Sequence, residues 1–401
     1  MQLKQLLKKF TPKFLLDFYH WLWAFAGAVV FGFPSQKLTV IGVTGTSGKS
    51  TTVDFITRIL EEAENKVVSN SSIRFKVGQK EWRNELKMGM PGRFFMQQLL
   101  RQGVNAGCNY AVLEVTSEGI KQSRHQFINF DTAVFTNLSP EHIESHGGFE
   151  NYRNEKLKLF RATKNTHIIN ADDENAKYFL EVPAKKIITF GLEKGNVNLG
   201  NTAFHLNMLG DFNRYNALAA AAASMSYDVS TEVCKRALEK ATGIPGRMEV
   251  IAKEPLVVVD YAHTPVQLES AYKSLAGRPL VCVLGSCGGG RDKWKRPVLG
   301  KIASQYCKEI IITDEDPYDE DPKQILSEIK SGISNSQFPM SNFYEILDRR
   351  EAVKKALELA KSGDAVIITG KGSESLMCLS GGRKILWDDR QIAKEELKNK
   401  P

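Results

Sequence analysis

The segment LTVIGVTGTSGKSTT, residues 38–52, constrains the fold most strongly, because a β-branched strand runs directly into a glycine-containing loop and a helix. This order forms an anion cradle, since loop amides and a helix N-terminus both present N–H groups. Lys49 would reach the β- and γ-phosphates of a nucleotide, and the Ser50 hydroxyl would face Mg²⁺. The strict phosphate-loop pattern requires glycine where this chain has Val43, so a glycine turn before an ordinary helix stays open.

The rest of the chain alternates short β-branched runs with amphipathic stretches, which predicts α/β layers built on parallel sheets. The predicted strands are LTVIGV, YAVLEV, TAVFTNL, THIIN, LVVVDY, PLVCVLG, EIIIT and DAVIITG. The predicted helices cover residues 49–63, 93–104, 150–161, 212–226, 265–276, 323–332 and 348–361. The 401 residues suffice for two or three domains. Residues 242–247, TGIPGR, are the predicted hinge because two glycines and a proline separate a helix from a strand.

Residues 1–37 have a composition of their own. Five lysines against Asp17 give this segment an excess of +4, half of the net charge of +8, and residues 14–33 are strongly apolar. A secretory signal would export a nucleotide-dependent domain away from its nucleotide, and a spanning helix with a cytosolic catalytic domain would oppose the positive-inside bias. Two interpretations stay open: a helix lying in the membrane interface, and a hydrophobic helix packed on the protein's own body or on a partner.

The cysteines favour a reducing cytosol. They have no C-x-x-C spacing, so we predict neither a disulfide framework nor a zinc ribbon. The six positions are Cys108, Cys234, Cys282, Cys287, Cys307 and Cys378. We therefore expect a cytoplasmic protein, with contact at the inner face of the membrane through residues 1–37 as an option, and no nucleic-acid partner.

The loop variant T-G-T-x-G-K-[ST]-[ST] resembles that of the Mur ligases and their folylpolyglutamate synthase relatives. Further motifs resemble the MurE-like members of the Mur ligase family in the same order along residues 38–401. These motifs are LEVTSEGIKQSR, FTNLSPEHIESHGGFENYRNEKLKLF, GDFNRYNALAA, PGRMEV, VVDYAHTP, GGGRDKWKRP and GKGSE. Seven ordered motifs are far more specific than the phosphate loop alone.

The resemblance implies an α/β fold with three parts. Residues 38–244 would form a central P-loop ATPase domain on a parallel sheet, and residues 245–401 a C-terminal Rossmann-like domain that binds an amino acid. These ligases normally carry an N-terminal uridine-binding domain, and in its place we expect only the basic, apolar helical segment of residues 1–37. The acceptor would then bind differently, or would be linked to a lipid.

The activity implied by the resemblance is ATP-dependent amide formation in the synthesis of peptidoglycan precursors. A muramyl-peptide carboxylate, UDP- or lipid-linked, would become an acyl phosphate and then react with an amino acid, with ATP and two Mg²⁺ ions as cofactors. A folylpolyglutamate-synthase-like ligase is one alternative, but that group typically reads D-G-A-H-N-P where residues 260–265 read DYAHTP. A membrane-attached nucleotide-binding module without catalysis is the other.

The resemblance also implies roles for individual residues. The catalytic set is Lys49, Glu114, His142 and Lys156. The metal ligands would be Ser50, Glu114, His142 and Lys156, the lysine in carbamylated form. The nucleotide contacts would be Gly45, Thr46, Ser47, Gly48, Lys49, Ser50, Thr51, Asn213, Asn216, Arg247, Asp260 and His263. The acceptor would meet Thr116, Gln122 and Arg124, and the incoming amino acid would meet Arg291, Asp316 and Glu374.

The residue types alone allow simpler interpretations for several of these positions. Lys156 would be a solvated helix lysine and Glu114 a capping or solvated group. Asn213 and Asn216 would cap a helix, and Arg247 would form a salt bridge.

Several positions depart from the family pattern. Residues 315–318 read EDPY where diaminopimelate-type enzymes read D-N-P-R, so the arginine that binds the second carboxylate is replaced by Tyr318. The acidic stretch TDEDPYDEDP around it favours a cationic side chain such as lysine or ornithine, or is solvated surface. Glu118 and Ser373 replace family histidines. Neither position is a predicted magnesium ligand.

Overall fold

The computed structural model describes residues 12–141 and 143–399, except for the side chain of Lys13. Contacts divide the chain into two compact units. The first unit contains the described residues up to Pro140, Gly147–Asn207 and Phe212–Thr242. The second contains Glu141–His146, Met208–Asp211 and Gly243 onward. The division after Thr242 falls within the predicted hinge; the three domain limits given above stay a prediction.

The first unit is built on one large sheet. Its strands are β1 (Thr39–Thr44), β2 (Val67–Asn70), β3 (Arg74–Val77), β4 (Lys80–Arg83), β5 (Tyr110–Glu114), β6 (Thr132–Phe135), β7 (Thr166–Asn170) and β8 (Lys186–Phe190). They lie in the order β4-β3-β2-β5-β1-β6-β7-β8. The strands from β2 to β8 in this order are parallel, whereas β3 pairs antiparallel with β2 and β4. The predicted parallel sheet is therefore mixed at one edge.

The helices that accompany this sheet come before it, between its strands and after it in the chain. They are α1 (Lys13–Val30), α2 (Lys49–Glu62), α3 (Arg93–Asn105), α4 (Ser117–Lys121), α5 (Ile143–His146), α6 (Phe149–Ala162), α7 (Ala176–Leu180), α8 (Asp211–Met225) and α9 (Thr231–Glu239). A 3₁₀ turn, Pro34–Lys37, connects α1 to β1. The short helix α5 belongs to the second unit. Seven consecutive apolar residues of α8, Ala217 to Ala223, are fully buried, because small side chains allow close packing on every side.

Strand β1 lies at the centre of the first unit. It pairs with β5 on one side and β6 on the other, with Val43 beside Glu114 and Thr44 beside Phe135. Within β1, a side chain at Gly42 would collide with the ring of Phe130. The carboxyl ends of β1, β5 and β6 therefore meet at one edge of the sheet, where ligands bind in open α/β sheets.

The second unit contains a smaller sheet. Its strands are β9 (Glu249–Lys253), β10 (Leu256–Val259), β11 (Leu280–Leu284), β12 (Cys307–Ile312), β13 (Phe343–Glu345) and β14 (Ala365–Ile368), followed by the separate hairpin of β15 (Leu376–Cys378) and β16 (Lys384–Leu386). The six strands lie in the order β13-β12-β11-β14-β10-β9. All pairs are parallel except β9 with β10.

Four of the described helices in the second unit have acidic or hydroxyl N-caps, which are Thr264, Asp321, Asp348 and Asp388. The helices that follow β10 in the chain are α10 (Pro265–Lys273), α11 (Lys295–Tyr306), α12 (Pro322–Ser334), α13 (Arg349–Leu359) and α14 (Asp389–Lys398). Two 3₁₀ turns cover Met340–Asn342 and Ser380–Gly382. The four capping side chains accept amide hydrogen bonds at the starts of α10, α12, α13 and α14. Such caps satisfy N–H groups that have no partner within the helix.

One disulfide joins Cys282 of β11 to Cys307 of β12. This disulfide corrects the expectation drawn from the cysteine spacing, because that expectation considered only C-x-x-C pairs and these two cysteines are 25 positions apart. The strands are neighbours in the sheet, which places the two Cα atoms 6.0 Å apart, within the usual span of a disulfide. The other four cysteines are free.

Helix α1 packs on the body of the first unit along one side only. Ala24 and Ala28 are buried, and Gly27 lies against Phe94 of α3. Trp23 meets the ring of Phe94 at 6.0 Å between centroids. Large apolar side chains on the rest of α1 are exposed, and we call them the exposed face of α1: Phe14, Leu15, Phe18, Tyr19, Trp21, Leu22, Trp23, Phe25, Val29 and Val30.

One side of α1 therefore packs on the protein's own body, as one of the two interpretations expected. The described residues leave its other side exposed. Within the part of the chain that the structure describes, no helix meets the length and apolarity needed to cross a bilayer.

Candidate active site

The loop after β1 is held in place by the segment that follows β6. The amide of Thr46 donates to the carbonyl of Asn137 at 2.9 Å, and the amide of Ser47 donates to the Asn137 side chain at 2.9 Å. Thr136 Oγ1 donates to the carbonyl of Ser47 at 2.7 Å. These bonds fix the loop before α2. The first amides of α2, which include those of Ser50 and Thr51, have no partner within the helix. Their N–H groups point out of the N-terminal end of the helix.

Gly48 precedes α2 in the left-handed conformation, with φ of +82°. A side chain here would be strained and would collide with Asn216 of α8. Asn216 is buried and donates to Asn213 Oδ1 at 3.4 Å. The two predicted asparagines thus lie together, and Asn216 also contacts the loop. Capping alone, the simpler interpretation, does not describe Asn216, which lies inside the helix.

Lys49 and Lys156 both donate to carbonyls of this loop. The ammonium of Lys49 binds the carbonyls of Gly45 and Thr46 at 3.1 and 2.8 Å. The amine of Lys156, on α6, donates to the carbonyl of Gly45 at 2.7 Å and lies 4.5 Å from the ring centre of Tyr152. Lys156 is only 1% exposed, so its interpretation as a solvated helix lysine is wrong.

Ser50 and Glu114 form the predicted pair of metal ligands. The hydroxyl of Ser50 donates to Glu114 Oε2 at 2.7 Å, and the amide of Ser72 donates to the same oxygen at 2.8 Å. Glu114 ends β5 and is buried, which rules out a solvated group. A hydroxyl and a carboxylate at the carboxyl edge of the sheet are oxygen ligands of the kind that Mg²⁺ prefers. Ser72, which the sequence analysis missed, completes this group.

The predicted second metal position is described only in part. His142 lies outside the described residues. Among the residues that are described, no group of three or more histidine, cysteine, aspartate and glutamate side chains is arranged to hold a metal ion. Ser50 and Glu114 are thus the described residues that fit a first ion, and the second ion stays a prediction.

The three residues predicted to bind the acceptor lie near α4. The hydroxyl of Thr116 caps this helix by accepting from the amide of Gly119 at 3.1 Å. Arg124 Nη2 donates to Gln122 Oε1 at 2.9 Å. Arg124 Nη1 also donates to the carbonyl of Met90. Gln122 and Arg124 are therefore neighbours, and their role toward an acceptor stays a prediction.

In the second unit, three predicted nucleotide contacts lie at the ends of β9 and β10. Asp260 accepts from the amides of Met248 and Ala262 at 2.7 and 2.8 Å. Burial raises the pKa of the Asp260 carboxyl, and the nearby charge of Arg247 works in the opposite direction. The Arg247 guanidinium stacks on the ring of Tyr261 at 4.2 Å, so a salt bridge does not describe it fully.

His263, the third of these contacts, lies between two hydrogen-bond partners. Its Nε2 lies 2.9 Å from Glu141 Oε1, and its Nδ1 lies 2.8 Å from the carbonyl of Tyr261. Both partners belong to the second unit. These contacts fix the orientation of the imidazole ring.

The predicted amino-acid residues Asp316 and Glu374 share one buried lysine. Lys371 Nζ donates to Asp316 Oδ1 at 2.8 Å and to Glu374 Oε2 at 2.7 Å. It also donates to the carbonyl of Leu376 at 2.8 Å. We call Asp316, Lys371 and Glu374 the acid–lysine cluster. The sequence analysis missed Lys371, although it is the lysine of the GKGSE motif.

The acidic stretch around Asp316 is only partly surface. Glu315 and Asp316 are buried, which excludes solvated surface for these two residues. Glu315 Oε1 accepts from the thiol of Cys287 at 3.2 Å, and burial raises the pKa of both groups. Arg291, in the loop before α11, is exposed, and its role toward an amino-acid carboxylate stays a prediction.

Two family profiles match this chain. The Mur ligase middle domain matches residues 43–224, and the Mur ligase glutamate ligase domain matches residues 246–372. A relative from Geobacillus kaustophilus (strain HTA426), named UDP-N-acetylmuramoyl-L-alanyl-D-glutamate--2,6-diaminopimelate ligase, is 35% identical over 92% of this chain and 81% of its own length. A relative of the same name from Aquifex aeolicus (strain VF5) is 36% identical over 92% of this chain and 79% of its own length.

Solved structures agree with these matches. The structure of a UDP-N-acetylmuramoyl-L-alanyl-D-glutamate--2,6-diaminopimelate ligase has 30% identity and a TM-score of 0.60, over 90% of this chain and 78% of that one. A folylpolyglutamate synthase of Mycobacterium tuberculosis has a TM-score of 0.69 at 15% identity, over 87% of this chain and 92% of that one. The second likeness concerns the fold alone. The two profile matches and the relatives establish that this chain belongs to the Mur ligase family.

Proposed function

We propose that this chain is an ATP-dependent ligase that joins an amino acid to the carboxylate of a muramyl peptide in the synthesis of peptidoglycan precursors. The contact of the Ser50 hydroxyl with the Glu114 carboxylate at 2.7 Å supports this proposal most directly. It places a hydroxyl and a charge next to Lys49, at the start of a helix whose amides favour phosphate. Family membership supports ligase chemistry rather than nucleotide binding alone.

The reaction requires two displacements. An acceptor carboxylate oxygen attacks the γ-phosphorus of ATP, and ADP leaves with the electron pair of the broken bond. The amine of the amino acid then attacks the acyl carbon, phosphate leaves with its electron pair, and the nitrogen loses a proton. Lys49 and the first amides of α2 hold phosphate oxygens as negative charge moves between them, which is usually the largest catalytic contribution.

Magnesium held by Ser50 and Glu114 would shield charge on the phosphate oxygens. We extend the proposal to a second ion at His142 and Lys156, with Lys156 carbamylated by addition of carbon dioxide to the neutral amine and loss of a proton. The burial of Lys156 beside the loop that precedes α2 supports this, because it places the amine where the nucleotide phosphates are proposed to bind. Arg247, Asp260 and His263 stay predicted nucleotide contacts.

The proposed amino acid is one with a second amino group. The named relatives act on 2,6-diaminopimelate. Lysine, ornithine and diaminopimelate all carry a distal amine that a carboxylate such as Glu374 could bind. With Tyr318 at the family arginine position, lysine or ornithine are the members of this group that need no second carboxylate contact.

Phosphate release across a panel of amino acids, with a UDP-linked muramyl dipeptide as acceptor, tests this proposal. We expect release that depends on both the acceptor and a diamino acid, with the amide product detected by mass spectrometry. Phosphate release that no amino acid stimulates, with no amide formed, would contradict it.

The exposed face of α1 supports peripheral contact of residues 1–37 with a membrane. A helix that is apolar all round is normally buried, yet α1 packs on one side only. Its exposed Trp21 and Trp23 are residues typical of the membrane interface. The lysines of residues 1–37 match anionic headgroups in charge. We therefore propose a cytoplasmic location with α1 lying in the headgroup region of an anionic bilayer.

Sedimentation with phosphatidylcholine vesicles, with and without phosphatidylglycerol, tests the membrane contact. Replacing Phe14, Phe18 and Leu22 together by serine should reduce vesicle binding more than about tenfold, because three large apolar side chains no longer enter the interface. Leu386→Ser, at an exposed apolar residue of β16, is the matched control and should bind like the unchanged protein. Equal binding by all forms, or a change in oligomeric state instead, would contradict a membrane-binding face.

Membrane contact raises the question of the carrier on the acceptor. We propose that a lipid-linked muramyl peptide is turned over in addition to the UDP-linked one. Comparing turnover of the two acceptors on vesicles tests this directly. A strong preference for the soluble acceptor would exclude the lipid-linked form.

A further inference from the structure

Two arginines of the first unit come together where α1, α3 and α4 meet. Arg93 is the first residue of α3, and Arg124 follows α4. Each is hydrogen-bonded to neutral groups, and within residues 12–141 and 143–399 no carboxylate forms a salt bridge with either. Arg124 is already a predicted acceptor residue, whereas Arg93 has no assigned role.

Gln122 connects the two guanidinium groups. Arg93 Nε donates to the Gln122 carbonyl at 2.8 Å, and Arg124 Nη2 donates to the Gln122 side chain at 2.9 Å. Arg93 Nη2 also contacts His20 Nδ1 of α1. Both positive groups are thus fixed on either side of one predicted acceptor residue, and Arg93 joins that residue to α1.

The positive charge at this position is poorly compensated. Burial lowers the pKa of the Arg93 guanidinium, and the nearby charge of Arg124 lowers it further. Burial also lowers the pKa of Arg124, and the charge of Glu118 works in the opposite direction. Arg124 Nε is buried without a hydrogen-bond partner among the described residues. The amides that begin α3 add further positive potential, because no side chain caps them.

We propose that Arg93 joins Arg124 in binding an anionic group of the acceptor, so that the start of α3 forms part of the acceptor site. This inference rests on the proposed function. Paired guanidinium groups are suited to carboxylates and phosphates, which they bind with two parallel hydrogen bonds. The acceptor offers both: a glutamate terminus has a second carboxylate that does not react, and a UDP or lipid carrier has a diphosphate.

A purely structural role for Arg93 would be to attach α1. Arg101, on the same helix α3, already has such a role. Its Nε donates to the carbonyl of Phe31 at 2.7 Å, and its Nη2 donates to the carbonyl of Gly32 at 2.9 Å, both after α1. Arg101 is therefore the matched control. Replacing it weakens the attachment of α1 but leaves both guanidinium groups beside Gln122 in place.

The experiment compares the full chain with Arg93→Gln and Arg101→Gln at saturating ATP and amino acid. We expect Arg93→Gln to raise KM for a UDP-linked muramyl dipeptide by about 10- to 100-fold, the usual size of a lost charged hydrogen bond. KM for ATP should not change in either variant. Arg101→Gln should leave KM for the acceptor within about threefold, as expected for distant sites that act independently.

Two further acceptors distinguish the sources of the anion. The first has its non-reacting carboxylate converted to an amide, and the second is a muramyl dipeptide without a nucleotide or lipid. If the effect of Arg93→Gln disappears with the amidated acceptor, Arg93 binds the carboxylate. If it disappears with the carrier-free acceptor, Arg93 binds the diphosphate. Either result supports the inference.

An effect of Arg93→Gln no larger than that of Arg101→Gln, or one that persists with both modified acceptors, would overturn the inference. Calorimetric binding of the UDP-linked acceptor to each variant gives the same comparison without turnover. A chain that binds the acceptor through Arg93 but forms no amide would contradict the proposed function alone. Arg93→Lys, which keeps the charge, should recover part of the affinity and exclude misfolding as the cause.

Discussion

The phosphate loop of the first unit and the acid–lysine cluster of the second are both buried polar regions, but their charges are balanced differently. In the loop, Lys49 and Lys156 donate to backbone carbonyls, and the Glu114 carboxylate accepts from a hydroxyl and an amide. In the cluster, Lys371 binds Asp316 and Glu374 directly, so one positive charge meets two carboxylates. The described contacts of the loop thus join charged groups to neutral ones, whereas those of the cluster join opposite charges.

This difference indicates what each region gains from its ligand. Lys49 and Glu114, whose described partners are neutral groups, suit a ligand that brings both negative phosphates and a cation. In the cluster, Lys371 already binds both carboxylates, so its contacts stabilise the second unit as well as orient Glu374 for its proposed role. We expect substitutions in the loop region to affect turnover most and substitutions in the cluster to affect unfolding most.

Lys156→Met should have the largest effect on turnover. The substitution keeps most of the side-chain volume and removes the amine, so ligase activity should fall on the order of 10³-fold or more. Phosphate release measures this, and Lys158→Met is the control because Lys158 is an exposed residue of the same helix paired with Glu155. Unchanged ATP-dependent amide formation would show that Lys156 has no catalytic role.

Lys371→Met should have the largest effect on stability. It removes the cation that Lys371 supplies to the buried Asp316 and the half-buried Glu374, and breaking a buried ion pair typically costs about 3–5 kcal/mol of the free energy of unfolding. Denaturant unfolding measures this, with exposed Lys361→Met as the control. Adding Asp316→Asn to Lys371→Met should recover part of the loss. A loss of activity with no loss of stability would reverse the comparison between the two regions.

Glu114→Gln should reduce kcat by about 10²- to 10³-fold, because the amide cannot supply the charge that a bound cation needs. The amide oxygen can still accept from Ser50, so the fold should persist. The control is Glu150→Gln, where the side chain is 82% exposed. If raising the magnesium concentration has no influence on the variant and kcat equals that of the unchanged protein, Glu114 is not a metal ligand.

His125 gives the smallest predicted effect and concerns the pH dependence of the first unit. Burial, and then the charge of Lys158, lowers the pKa of His125 to about 4. Below its ordinary pKa of about 6.5, the unfolded chain takes up a proton that the folded chain does not, so stability is lost as the pH falls from about 6.5 to 4. The loss should reach about 3 kcal/mol.

The variant His125→Gln should lose less stability over this pH range than the unchanged protein. Denaturant unfolding at pH 7 and pH 4.5 measures the difference. His205→Gln, at an exposed position, should follow the unchanged protein. Parallel pH profiles for all three proteins would mean that His125 is protonated in the folded state.

The central strands could be predicted from the sequence because they are buried on both faces. All eight predicted strands correspond to β1, β5, β6, β7, β10, β11, β12 and β14. The edge strands β3 and β4 were missed, since charged residues such as Arg74 and Lys80 interrupt their alternation. In the sheet β3 pairs with β2 and β4 pairs with β3, and this tertiary context, rather than a local alternation pattern, makes them strands.

Helix α11 was missed because it contains Pro297 and Gly300, which are unfavourable in a helix. The structure supplies the reason for the glycine. A side chain at Gly300 would collide with the carbonyl of Ile329, and one at Gly332 with the carbonyl of Pro297, so α11 and α12 pack closely through these two positions. Tertiary packing thus overrides local propensity here.

The contacts within the candidate site follow from the sequence where one motif contains the neighbours and do not where the partners are distant in the chain. Lys49 and Ser50 follow from the loop itself. Ser72 and Lys371 were missed, because a serine before an edge strand and a lysine between glycines have no typical pattern without their spatial partners. The burial of Lys156 could not be predicted either, because the loop after β1 decides which face of α6 is buried.

The bonds from Thr136 and Asn137 to the loop have a thermodynamic consequence for nucleotide affinity. Ordering a flexible backbone costs roughly 1–2 kcal/mol for each residue. Because folding already orders residues 45–48, that cost is included in the stability of the first unit. It is not subtracted from the free energy of nucleotide binding. Removing these hydrogen bonds, for example by Asn137→Ala, would leave the loop to be ordered when ATP binds. ATP binding would then be weaker, although Asn137 itself need not contact ATP.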